Sequence, residues 1–200
     1  MLNLSFVLYE LAWMSVFAFT LQHALKRWGA GKTAAFFIPA IFFGFLLEWA
    51  TQTVFQGYRY GEGFLVYILN VPLSVSITWA TLLYIGFWLA REKIGLKTAW
   101  KASVFAAAFL VAVDALHFEP MAQRFGYWVW THAGVWFGAP LSNFYGWFWV
   151  GVLYLTAFQW MEKQPWTQRK KLAVGILAIP LQVAVLTGLL KLYKLVFGNL

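Results

Sequence analysis

The sequence predicts an all-α, polytopic integral membrane protein with about six transmembrane helices, forming a single transmembrane domain over residues 1–200. Three observations carry this. Apolar residues make up 62% of the chain and charged residues 11%, whereas a soluble fold has roughly a quarter of its residues charged. Mean hydropathy is +0.67. Apolar runs of about 20 residues, the length that crosses the hydrocarbon core, recur at about 4–25, 33–54, 71–90, 99–117, 141–161 and 172–197.

The first run lacks a basic leader and carries Glu10, so it reads as a retained helix rather than a cleaved signal peptide. Glu10 and His23 within it read as groups that hold helices together. The second run carries Glu48 near its end. The third and fifth each open on Pro-Leu-Ser (Pro72 to Ser74, Pro140 to Ser142), and proline suits the first turn of a helix, where its missing N–H costs nothing. The fourth ends on Asp114, His117 and Glu119, with Pro120 expected to close it. The sixth holds Lys191 and Lys194, long side chains that can snorkel to the interface.

Net charge is +8, and eleven of the fifteen basic residues fall in three clusters: Lys26, Arg27, Lys32; Arg91, Lys93, Lys97, Lys101; Lys163, Arg169, Lys170, Lys171. Clusters after the first, third and fifth runs mark cytoplasmic loops of a protein in the cytoplasmic membrane, facing anionic lipid headgroups. Charge distributed in this way argues against a nucleic-acid partner. Both termini and the loops after the second and fourth runs then lie outside. The absence of cysteine excludes disulfides, thiol chemistry and cysteine-held iron–sulfur clusters.

Those two outer loops, 55–70 and 118–140, are rich in aromatics and glycine and are expected to hold short interfacial or re-entrant segments. They also resemble each other. Gly57-Tyr58, Tyr60 and Pro72-Leu73-Ser74 with Trp79 parallel Gly126-Tyr127, Trp128, Trp130 and Pro140-Leu141-Ser142 with Trp147. Runs 2–3 and 4–5 therefore read as two related hairpins in the same orientation, as in parallel membrane repeats.

Ionisable groups inside a span are expensive and need a reason. Glu48, in apolar surroundings, reads either as a protonated carboxyl able to donate its proton or as an interhelical hydrogen-bonding group. Asp114 and His117 lie three apart and should share a helical face, where the carboxylate can orient the imidazole. Glu119 and His117 also fit the polar exit of a helix. Asn143 can orient a water or cap a helix. Asp114, His117, Glu119 and His132 lack the spacing of a metal site, so no metal is expected. The aromatic loops suggest a groove for a flat, apolar isoprenoid ligand, and aromatic faces stabilise cations.

At these residues the chain resembles the carotenoid biosynthesis family of membrane 1′,2′-hydratases, which includes the bisanhydrobacterioruberin and γ-carotene hydratases. The resemblance rests on Glu48 with Gly57-Tyr58-Arg59-Tyr60, Val71-Pro72-Leu73 with Trp79, Asp114-x4-Glu119-Pro120, Trp128-Val129-Trp130, and Gly138-Ala139-Pro140 through Asn143-Phe144-x-Gly146-Trp147. It spans about residues 44–150, with Asn70, Ala139 and Glu119 departing from the expected pattern. The resemblance implies addition of water across the terminal C1=C2 bond of an acyclic carotenoid, without a cofactor. Glu48 or Asp114 would act as acid, the other carboxyl, aided by His117 or Asn143, would position water, and Glu119 would belong to the same acid cluster. Tyr58, Tyr60, Trp79, Trp128, Trp130 and Trp147 would line the substrate site, toward the outer face. Rival readings are a non-catalytic carotenoid- or lipid-binding membrane protein and an isoprenoid cyclase.

Overall fold

The computed structural model describes residues 3–132 and 134–198. It is mostly helical, and among the described residues four helical runs are long and apolar enough to cross a membrane: Leu4–Thr53, Leu73–Lys93, Ala99–Phe125 and Gln168–Phe197. The first of these, 50 residues long, breaks at Gly29 (φ 74°, ψ 166°), giving arms α1 (4–28) and α2 (30–53). Phe17 and Phe37 are twenty residues apart, yet their ring centroids lie 6.0 Å apart. A straight helix would separate them by about 30 Å, so the arms fold back on each other. Glycine supplies the left-handed conformation this reversal needs.

Helix α3 (Leu73–Trp88) starts directly after Pro72, and α6 (Leu141–Glu162) directly after Pro140, both prolines being extended at the N-cap. Helix α4 (Ala99–Val113) passes through a π-helical turn, Asp114–Phe118, into α5 (Glu119–Phe125). Pro120 therefore does not close the helix. It sits in the first turn of α5, where no N–H is required, and the helix ends at left-handed Gly126. The apolar run at the C-terminus divides into α7 (Gln168–Leu177) and α8 (Ile179–Phe197), with Pro180 in the first turn of α8.

Helix α6 has 22 residues but is not among those four runs. Its tryptophans, tyrosines, Asn143 and Gln159 lower its hydropathy. It nonetheless packs centrally: Gly151 meets Ala107 of α4, and Gly146 meets Leu190 of α8. Gly44 of α2 likewise admits Trp79 of α3, and Gly86 of α3 admits Ala106 of α4. Small residues at such crossings let helix backbones approach closely, the usual packing device where no water drives association. The core they enclose includes Phe36, Phe43, Leu82, Leu83, Leu110, Leu155 and Phe158, all fully buried.

The two ends of the bundle differ. At one end Arg27 pairs with Glu92 at 2.6 Å, while Lys32 and Lys171 share Glu162 at 2.8 and 3.0 Å. Residues of all three basic clusters (Arg27, Lys32, Arg91, Lys97 and Lys163) line one basin of about 370 Å³ at this end. The other end carries the aromatic loops. Besides α5, these loops hold short strands, which the sequence reading does not anticipate: β1 (Tyr58–Tyr60) pairs antiparallel with β4 (Trp128–Trp130), and β2 (Tyr67–Ile68) with β3 (Val71–Pro72). The β1–β4 register sets Tyr58 opposite Trp130 and Tyr60 opposite Trp128. Alternating aromatics on YRY and WVW suit a pleated pair, with two rings of each strand on one face.

Candidate active site

Beneath the β1–β4 pair, carboxyl groups from two parts of the chain meet in one cavity. Glu48 on α2 is 5% exposed, Asp114 1% and Glu119 2%. The cavity wall contains all three, with Tyr58, Tyr60, Trp128 and Trp130 from the strands and Asn143 and Trp147 from α6. No lysine, arginine or histidine lines it among the described residues. Its free volume is about 30 Å³, room for one or two waters.

Glu48 is surrounded by donors. One carboxyl oxygen, Oε2, accepts from the Tyr58 hydroxyl and, at 2.6 Å, from that of Tyr60. The other accepts from the Trp79 indole N–H at 2.7 Å. Burial, followed by the neighbouring Glu48, pushes the Tyr60 phenol well above its ordinary pKa. Tyr60 therefore stays a neutral hydroxyl donor. Trp79 stands behind the wall rather than in it, its ring stacked on Trp147 with centroids 3.6 Å apart and planes 14° apart.

Glu119 has a matching set. Its Oε2 accepts from Trp130 at 2.9 Å and Trp128 at 3.3 Å, and its Oε1 accepts from the Asn143 amide at 3.2 Å. The same amide nitrogen donates to Asp114 Oδ2 at 2.8 Å. Asn143 Oδ1 accepts from the Trp147 indole at 3.1 Å. Because an indole N–H can only donate, this contact fixes the amide with its NH₂ toward the two acids.

The π-helical turn explains why Asp114 and Glu119 converge. The Glu119 backbone N–H donates to the Asp114 carbonyl, five residues back. Residues five apart lie well around an α-helix from each other, but a π-turn brings them to one face. Such turns recur at functional sites. His117 is turned out of the cavity by the same geometry: it is exposed, with its ring against Trp13 (centroids 5.9 Å apart) and Phe118 (5.3 Å). The α-helical spacing that pairs Asp114 with His117 does not apply here.

The structure thus gathers Glu48, Asp114, Glu119, Asn143, Tyr58, Tyr60, Trp128, Trp130 and Trp147 around one cavity, with Trp79 bonded to Glu48 from behind. The wall also includes Tyr9, Val75, Thr78 and Phe118, which the sequence reading does not single out. Tyr9 adjoins the buried Glu10, whose carboxylate accepts from the Leu65 backbone N–H. That polar pair inside an apolar run was the available signal. His23, by contrast, bonds Tyr84 at 2.7 Å away from the cavity. Among the described residues, no three His, Cys, Asp or Glu groups are placed to hold a metal ion.

Fold and site together define a helical membrane protein that encloses an acid cluster in aromatic rings, with no cation among the described residues of the wall to neutralise it. Residues 3–199 match the model of the family described as carotenoid biosynthesis protein, and the chain belongs to that family. Its role lies in carotenoid metabolism, consistent with an enzyme of that pathway. No curated protein and no solved structure matches the chain.

Proposed function

We propose that the protein is a membrane hydratase that adds water across the terminal C1=C2 double bond of an acyclic carotenoid end group. The observation that carries this reading is the meeting of three buried carboxyl groups in one aromatic-walled cavity with room for water. Protonation at C2 leaves a tertiary cation at C1. The indole and phenol rings of the wall stabilise that cation, and a water held by a carboxyl group captures it. The products are a tertiary alcohol and a regenerated acid–base pair, without a redox cofactor.

A carotenoid end group is larger than the cavity's free volume, so substrate entry requires wall side chains to move while the long polyene stays in lipid. Room for water beside the acids favours hydration over cyclisation. A purely binding protein has no use for three carboxyl groups in one apolar cavity, since burying them is costly.

In this reading the chain has six spans: α1, α2, α3, α4 with α5, α6, and α7 with α8. The basic basin faces the cytoplasm among anionic headgroups, and the carboxyl cavity lies toward the outer face of the cytoplasmic membrane. Runs 2–3 and 4–5 are related hairpins. Support for that relation comes from the symmetric β1–β4 register, the two aromatic donors each strand gives its own glutamate, and the stacking of Trp79 on Trp147.

The test is pigment analysis in cells that accumulate lycopene. Expression of the chain should yield hydroxylated carotenoid, and Glu48→Gln or Asp114→Asn should eliminate it at normal protein levels. Full hydroxylation by both variants would sink the carboxyl mechanism. Pigment bound but unaltered by the unmodified chain would favour the binding-protein reading.

A further inference from the structure

The three carboxyl groups differ in one respect that bears on their division of labour. Of their six oxygens, five accept a hydrogen bond: both of Glu48, both of Glu119, and Oδ2 of Asp114. Asp114 Oδ1 is buried without a partner. Buried polar atoms are seldom left so, and each exception calls for an explanation.

A proton on Glu119 would find no acceptor among that group's partners. All its partners are N–H groups of Trp128, Trp130 and the orientation-fixed Asn143, and none of these can accept. Asn143 uses one N–H for each acid, so the Asp114–Asn143–Glu119 unit is two carboxyl groups bridged by a single amide. In a cavity whose described wall residues include no cation, burying two neighbouring carboxyl groups both as anions is costly, so one of them carries a proton. The one atom of that unit with no donor aimed at it is Asp114 Oδ1.

We infer that Asp114 is the proton donor of the hydration reaction, through Oδ1, with Glu119 and Asn143 as positioning residues and Glu48 as the group that receives the proton of the captured water. The inference rests on the hydratase reading. The C1=C2 π pair takes the Oδ1 proton to form a C2–H bond, leaving Asp114 a carboxylate. Water oxygen bonds C1, and the resulting oxonium passes one proton to Glu48, which the Tyr58 and Tyr60 hydroxyls hold in place. Transfer of that proton from Glu48 to Asp114 through cavity water restores the starting state.

Deuterium labelling separates these roles. The purified protein is reconstituted in liposomes containing lycopene, incubated in D₂O, and both product and recovered substrate are weighed by mass spectrometry. The unmodified chain should give alcohol carrying one deuterium at C2. Glu48→Gln should give no alcohol but should label recovered lycopene, because the cation still forms and collapses by losing a proton. Asp114→Asn should give neither alcohol nor label, and Asp114→Glu should restore some label. Label introduced by Asp114→Asn overturns the assignment while leaving the hydratase reading intact. Neither alcohol nor label from the unmodified chain defeats the hydratase reading, and the assignment with it.

A second measurement does not need Asp114→Asn to fold. The infrared carbonyl band of a buried carboxylic acid should be present in the unmodified protein and in Glu119→Gln and Glu48→Gln. Its loss in either of those two variants would overturn the assignment.

Discussion

Gly44→Ala tests whether the Trp79 anchor matters to the site. A Cβ at residue 44 would lie 2.8 Å from Trp79 Cβ and 2.9 Å from its Cγ. Ordinary carbon contacts are 3.5–4.0 Å, so the gap must widen by roughly 0.7 Å. Trp79 has little freedom to give way, because its ring is stacked on Trp147 at 3.6 Å and its N–H is bonded to Glu48 at 2.7 Å. Overpacking of this kind costs about 1–3 kcal/mol. Stretching the indole–carboxyl bond forfeits about 1 kcal/mol more. The expected loss is therefore about 2–4 kcal/mol of stability, read by thermal unfolding of the purified protein in detergent. Hydroxylated product should fall at least about tenfold as Glu48 shifts. Gly188→Ala is the control: its added Cβ meets nothing within 4 Å on an exposed helix face, and alanine should leave stability unchanged or raise it by up to about 1 kcal/mol. Equal effects from the two substitutions would refute the reasoning.

Tyr60→Phe removes one of the hydroxyl donors to Glu48 and should lower hydroxylated product about tenfold, while protein yield and size-exclusion profile stay unchanged. Glu162→Gln leaves Lys32 and Lys171 without their shared carboxylate and should cost about 1–2 kcal/mol, discounted for partial exposure, with the loss shrinking in high salt. Reporter fusions at Lys97 and Lys170 should read cytoplasmic and one near Gly61 external. An inside reading at Gly61 would move the carboxyl cavity to the cytoplasmic face.

Hydropathy made the helical runs legible, and their ends followed from proline chemistry at Pro72 and Pro140. The carboxyl and aromatic residues that meet in the cavity were legible because Glu48, Asp114 and the ring-rich loops are conspicuous in an apolar chain. Three features were not. The β1–β4 pair joins segments seventy residues apart and depends on tertiary placement that no local pattern encodes. The π-helical turn changes which neighbours of Asp114 share its face, and α-helical spacing therefore selected His117, while the structure brings Glu119 beside it. Interfacial or re-entrant segments are expected in the loops, and their YRY and WVW stretches are short strands, because alternating aromatic residues suit a pleat.

The stacked indoles of Trp79 and Trp147 give the protein an internal optical gauge. They join the segment that holds Glu48 to the segment that holds Asn143, behind the cavity that, in the reaction proposed above, has to widen to admit a carotenoid end group. Any widening between these segments shears the stack, and two rings 3.6 Å apart are electronically coupled in a way that separated rings are not. Near-ultraviolet circular dichroism of the unmodified protein minus that of Trp147→Phe should isolate the coupled signal from the other tryptophans. Following that difference as substrate partitions into the bilayer would time the opening of the site directly, ahead of any chemistry.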